Sequence, residues 1–203
     1  MKSWDQLADK ETVEKTIAAL QANGITAEFV ETKEDAKKRV LELIPKGAEV
    51  MTMSSATLET TSLTKEINES RKYDAVKPKL FSMDRKTQGV EMQKLGAAPQ
   101  YALGSVHAVT EDGKLLIASN TGSQLGAYAY SSQHVIWIVG TQKIVADLDE
   151  GIKRIYEYIL PQEDARMRKL YNLGSNVSKL LIINKEIKPQ RLHLIFVNQK
   201  LGY

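Results

Sequence analysis

The chain has 203 residues, with 28 lysines and arginines against 25 aspartates and glutamates, a formal net charge of +3 and no cysteine. That length suits one α/β core with at most a small appendage, and the missing thiols exclude a disulfide framework, a thiolate nucleophile, an all-cysteine zinc site and an iron–sulfur cluster held by this chain. The charges are interspersed without a long basic run, which gives no nucleic-acid footprint; no apolar run approaches the roughly 20 residues that cross a bilayer, so the expectation is a soluble cytoplasmic protein without membrane insertion.

In chain order, Ser3 and Gln6 have the spacing of a capping box, and Trp4, Leu7, Val13, Ile17 and Leu20 share a helical face until Asn23-Gly24 stops it. Residues 1–24 read as an N-terminal helix and residues 25–203 as a single α/β domain. Ile25 to Val30 alternates as a strand, Thr32 to Ile44 repeats a helical pattern that Pro45-Lys46-Gly47 breaks, and Ala48 to Met53 is a second strand. Ser54-Ser55-Ala56-Thr57 follows that strand and opens a helix carrying Thr60, Leu63 and Ile67. Residues 68–100 carry little pattern beyond Leu80-Phe81 and a weak helix through Val90 and Leu95, and read as a lid or as a surface connection covering a sheet edge.

Ser105 to Thr110 and Lys114 to Ala118 alternate around Glu111-Asp112-Gly113, the pattern of a β-hairpin with Glu111 at its tip. Leu125 to Tyr130 is a short helix, with Tyr128 and Tyr130 suited to a homodimer face. His134 to Gly140 is a continuous apolar strand of the kind buried on both faces of a parallel sheet. Asp147 with Glu150 caps a helix bearing Ile152, Ile155, Tyr156 and Ile159, Pro161 begins another, and Arg154 and Arg166 fall where ion pairs form. Leu180 to Ile183 and Leu192 to Val197 are the last strands. The alternation of strands and helices predicts an α/β fold with a mainly parallel central sheet and helices on both faces, in which Ile25–Val30, Ala48–Met53 and Val135–Val139 are neighbours.

Two loops of small polar residues follow strands, where α/β sheets place ligands. Ser54 and Ser55 form one; Asn120, Thr121, Gly122, Ser123 and Gln124 form the other, with glycine letting N–H groups face an anion. Lys143, just beyond the His134–Gly140 strand, is the cation placed to meet that anion. Each feature also has a plain alternative: a helix cap, a solvated hairpin tip, a solvated lysine. His107, His134 and His193 form no ligand pair, so no metal is expected, and neither a Gly-x-Ser-x-Gly elbow nor a Gly-x-Gly-x-x-Gly fingerprint occurs; the cofactor is left open.

Gly104, the Val109-Thr110-Glu111-Asp112-Gly113-Lys114-Leu115-Leu116 hairpin and the Val135–Gly140 strand with Lys143 resemble the LUD domain proteins, named for lactate utilisation and including LutC-like members. Asn120-Thr121-Gly122-Ser123-Gln124, the segment from Pro161 to Arg166, and Gly174-Ser175-Asn176 with Lys179 are similar to a smaller LUD-like subgroup. The resemblance implies the fold shared by ribose-5-phosphate isomerase, glucosamine-6-phosphate deaminase and the CoA transferases. In the last of these, a Glu-x-Gly turn supplies a nucleophilic carboxylate, the position that Glu111 would take. Val106 stands where an acidic residue is frequent in the family, and Lys114 where threonine is usual. Two functions follow. In one, the protein acts on a small anionic metabolite (an organic acid, sugar phosphate or acyl-CoA) with Glu111 as base or nucleophile. In the other, it is a non-catalytic accessory or ligand-sensing protein that works with a redox partner in lactate metabolism.

Overall fold

The computed structural model of the chain describes residues 4–203. In order, the elements are α1 (Lys10–Ala22), β1 (Thr26–Val30), α2 (Lys33–Leu43), β2 (Glu49–Thr52), α3 (Ala56–Thr60), α4 (Leu63–Glu69), β3 (Asp74–Ala75), α5 (Val76–Ser82), α6 (Gly89–Ala97), β4 (Tyr101–Gly104), β5 (Ala108–Thr110) and β6 (Leu115–Ser119). A π-helical turn (Ala127–Ser131) then leads to β7 (His134–Gly140), β8 (Ile144–Val145), α7 (Leu148–Arg154), a second π turn (Ile155–Ile159), α8 (Leu160–Tyr171), β9 (Lys179–Ile183) and β10 (Leu192–Val197).

Six strands form a parallel sheet in the order β1-β10-β7-β4-β2-β3. The three apolar runs expected to be neighbours do share this sheet and its direction, but β10 separates β1 from β7 and β4 separates β7 from β2. One face, carrying Val50, Leu103, Ile136, Ile138, Ile195 and Val197, is covered by α2, α3 and α4 through Val40, Leu58, Leu63 and Ile67. The other face carries Trp137, Leu194 and Phe196. It is covered by α1 through Val13 and Leu20, and by a second sheet, β8-β5-β6-β9, through Val109, Leu115 and Ile117. Leu116 and Ala118 alternate to the far side of that second sheet, where Ile155 and Ile159 cover them. Every residue of β6 is buried, the expected result when both faces of a strand are packed. The α/β architecture with a mainly parallel sheet and flanking helices is thus present, with a mixed second sheet as an added layer.

Local departures from expectation have local causes. Helix α1 begins at Lys10 because Asp9 Oδ1 accepts from Thr12 N at 2.8 Å and caps it; Ser3, the expected cap, lies outside the described residues. The single helix expected after Ser55 is two, α3 and α4, broken at Ser62, which adopts a left-handed conformation at φ 58°. Pro161 does not separate two helices: α7, the π turn and α8 run on from one another, and Gln162 Nε2 donates to Tyr158 O at 2.9 Å beside the proline, which has no N–H to give. Tyr128 is 1% exposed and lies edge-on to Trp137, so of the two tyrosines suggested for a homodimer face only Tyr130 is turned outward.

The hairpin tip is anchored on α1. Asn23 Nδ2 donates to Asp112 O at 2.9 Å and Gly113 O at 3.2 Å, and a Cβ at Gly113, whose φ is +81°, would lie 2.7 Å from the backbone of Ala19 and Leu20. Gly113→Ala therefore combines left-handed strain with backbone overlap and is expected to cost roughly 2–4 kcal/mol. Urea unfolding should show a lowered midpoint with an unchanged slope.

Candidate functional site

Parallel strands end on the same edge of their sheet, so the loops that follow them converge there. At this edge β4 gives way to Ser105, Val106 and His107, which carry the chain across to the second sheet, and β7 gives way to a 3-10 turn, Thr141–Lys143. Beyond β2, Ser55 Oγ caps Leu58 N and starts α3, which sets Thr57 in its first turn.

Lys143 is turned inward and is 3% exposed. Its Nζ donates to Ser105 Oγ at 3.1 Å, Thr57 Oγ1 at 3.2 Å and Val106 O at 3.2 Å. Both hydroxyls already have acceptors for their own protons, Ile138 O at 2.7 Å from Ser105 and Leu201 O at 3.2 Å from Thr57. Among the described residues no carboxylate lies within ion-pair distance of Lys143. Burial, with Arg154 adding repulsion, depresses the amine from its ordinary 10.5 to about 7.

Arg154, fully buried on α7, donates to His107 O at 2.6 Å and to Trp4 O at 3.4 Å, with its guanidinium over the Tyr158 ring. Arg154 thus reaches carbonyls and a ring, with no carboxylate in ion-pair distance among the described residues, whereas Arg166 does form the expected pair, bidentate to Glu163 at 2.8 and 2.9 Å. Burial lowers Arg154 to about 10, so it stays charged at neutral pH. The half-buried His107 accepts from Ala118 N through Nδ1 at 3.2 Å, and burial together with Lys143 and Arg154 drives it down to about 3, leaving a neutral imidazole. Burial works to raise Glu163, but Arg166 and the Tyr203 hydroxyl outweigh it and hold it below its ordinary value.

The segment after β10 closes over this edge. Leu201 O accepts from Thr57 Oγ1 and, at 3.0 Å, from Gln142 Nε2, and Tyr203 Oη bonds the Glu163 carboxylate. A Cβ at Gly140 would lie 2.5 Å from Gln199 O, so the tail passes where only glycine leaves room.

Of the residues singled out from sequence, the structure brings the Ser55-capped helix and Lys143 together through Thr57. The Asn120–Gln124 loop follows β6, whose Ala118 bonds His107, but it is largely self-satisfied. Ser119 Oγ takes the Gly122 N–H at 2.8 Å, Thr121 Oγ1 takes that of Ser123 at 3.3 Å, Gln124 Oε1 accepts from Ser119 Oγ at 3.0 Å, and Asn120 Oδ1 accepts from Ser178 Oγ at 3.1 Å. Ser54 is exposed. Glu111 is not among the Lys143 group: its carboxylate, on the hairpin packed against α1, pairs with Lys15 at 2.7 Å. The sequence gives no signal for Thr57 in a hydrogen-bonding role, and it presents His107 only as a histidine without a ligand pair and Arg154 only as an ion-pair residue. The signal for Ser105 was a small polar residue directly after the short apolar run Tyr101–Gly104, the same signal read after the other strands.

Among the described residues no group of three or more His, Cys, Asp or Glu side chains could hold a metal ion, and no helix is long and apolar enough to cross a membrane. The architecture is that of an α/β protein whose polar side chains gather where parallel strands end. Residues 13–197 match the model of the LUD domain, and the chain belongs to the LUD domain family. It is similar over 95% of its length to all of a DUF162 family protein from Deinococcus radiodurans, with TM-score 0.60 and 11% identity, a likeness of fold. Weaker likenesses are to eIF2B beta from Chaetomium thermophilum (TM-score 0.38, 16% identity, 60% of this chain and 42% of that one) and to ribose 5-phosphate isomerase from Plasmodium falciparum (TM-score 0.34, 12% identity, 78% and 80%). No curated protein matches the sequence.

The depressed amine makes a stability prediction with a definite sign. Between pH 7 and 10.5 the unfolded chain holds a proton on Lys143 that the folded chain does not, so this group's contribution to stability rises with pH through that window and is least favourable below 7. Lys143→Met removes the penalty and leaves Ser105 and Thr57 bonded to their carbonyls. The variant should be more stable than the parent at pH 6.5, by on the order of a few kcal/mol, with the advantage shrinking towards pH 10 in urea titrations.

Proposed function

We propose that this LUD-domain protein binds a small anionic metabolite (an organic acid, a sugar phosphate or an acyl-CoA) at the carboxyl ends of β2, β4 and β7. The observation that carries this reading is Lys143, a buried amine answered by three neutral oxygens and by no carboxylate among the described residues. An ammonium so placed is costly, and an anion reaching it would restore the lost charge balance. Ser55 and the Asn120–Gln124 loop flank the approach in this reading, with Ser54, Thr121 and Ser123 towards solvent.

A screen of organic acids, sugar phosphates and acyl-CoAs by thermal shift tests it, since a ligand that binds only the folded state raises the midpoint. Because the anion binds the protonated amine, affinity should fall by up to about tenfold per pH unit above 7. A hit whose affinity is unaltered in Lys143→Gln, or is flat across this range, would remove Lys143 from the site.

The second reading, a non-catalytic accessory or ligand-sensing protein beside a redox partner, is favoured by Glu111 itself. Its side chain is 29% exposed and faces Lys15, and the superfamily's carboxylate chemistry would require that pair to open onto a substrate. Glu111→Gln decides with any ligand the screen finds: a base or nucleophile predicts a fall of roughly 100-fold in turnover with little change in binding. The accessory reading predicts unchanged binding and no turnover to lose.

A further inference from the structure

Hydrogen-bond valence around Lys143 singles out one neighbour. A neutral amine has two N–H donors and one lone pair. Val106 O can only accept, and Thr57 Oγ1, whose own proton lies on Leu201 O, accepts as well; these two match the two donors. Ser105 is the remaining partner, and its hydroxyl can turn from Ile138 O to deliver its proton to Nζ across the same 3.1 Å. Ser105 is also the more exposed of the two residues, half-buried where Thr57 is 1% exposed.

We propose that Ser105 and Lys143 form a serine–lysine dyad, with Ser105 Oγ as nucleophile and Lys143 Nζ as general base, acting on a small acyl thioester or ester. This rests on the reading above of where ligand binds and names the acyl group's destination within that site. In the first step Oγ attacks the acyl carbon, its proton passes to Nζ, the C–O bond forms, and the C–S or C–O bond to the leaving group breaks. The leaving group takes the proton from Nζ and departs as thiol or alcohol. Water then attacks the acyl-serine, giving its proton to Nζ, and the carboxylic acid leaves as the proton returns to Ser105.

The charged and titratable groups acting on Lys143 come from two other elements: Arg154 on α7 and His107 after β4, with Glu163 on α8 acting in turn on His107. Arg154 stays charged and His107 neutral across pH 6–9, so one ionisation, that of Lys143, governs the dyad there.

The test uses the full chain with phenylmethylsulfonyl fluoride and p-nitrophenyl acetate, followed by intact mass and peptide mapping. The dyad predicts modification at Ser105, with a rate that rises through a midpoint near pH 7 and falls at least about 100-fold in Lys143→Met. Lys143→Arg keeps a cation but cannot accept the proton, so it should lose labelling as Lys143→Met does; near-ultraviolet circular dichroism confirms that each variant is folded. No modification of the parent protein at pH 8.5, modification at another serine, or an undiminished rate in folded Lys143→Met overturns the dyad. Anion binding that persists without any labelling overturns the dyad alone, and loss of anion binding with labelling intact overturns the ligand reading alone. The pH profile of the parent protein needs no variant, and a flat profile from pH 6 to 9 also overturns the proposal.

Discussion

An amine held almost entirely out of water by three neutral oxygens is the most demanding arrangement in this molecule. Several chain segments converge to make it possible. Thr57 comes from the first turn of α3, Ser105 and Val106 from the crossing between the sheets, and Leu201 from the segment beyond β10, where it accepts the Thr57 proton. Isolated ions cost several kcal/mol to bury, a cost offset elsewhere in the fold by the burial of apolar side chains such as Trp137, Phe196, Leu103 and Ile138. Arg154 adds a second cation from α7, and burial, with repulsion from both cations added to it, keeps His107 neutral.

The opposite task falls to the hairpin. Its tip rests on the last turns of α1 through Asn23 and Gly113, and Glu111 N donates to Val145 O at 2.9 Å, tying β5 to β8. These contacts give the Glu-Asp-Gly turn a packing role whatever chemistry its carboxylate carries. They also show why a turn signature alone says little about reactivity: the same backbone requirement for positive φ arises from close approach to a helix.

Much of the fold was legible from the chain. His134–Gly140 is legible with its observed ends because the run is short, rich in β-branched residues and closed by Gly140, and Thr32 and Asp147 cap α2 and α7 through side chains whose purpose is local. What could not be read depends on partners distant in sequence. Strand β4 is four residues long between Pro99 and the sheet crossing, too short for periodicity, yet it is buried throughout because it lies between β7 and β2. The second sheet adds β8 and β9, from two other regions of the chain, to the β5–β6 hairpin, and beyond that hairpin no local pattern announces the pairing. Lys143 and Ser55 stand out in the sequence because each follows a strand. Arg154 reads from sequence as an ion-pair residue, since a charged side chain on an amphipathic helix gives no sign that its face will be covered.

The position of β10 has a consequence for how the polypeptide is made. It is the latest strand in sequence, yet it sits between β1 and β7 and pairs with both along its length. During vectorial synthesis β1 emerges early with no strand to join it to the remainder of the sheet, and β7 exposes an open edge for some fifty residues. The nascent chain therefore carries two further unsatisfied β edges, one on β1 and one on β7, until residues 192–197 clear the ribosome, and the insertion of one strand between them closes both. The same strand leads to Leu201, so the acceptor of the Thr57 proton reaches the carboxyl-edge site only once β10 is in place.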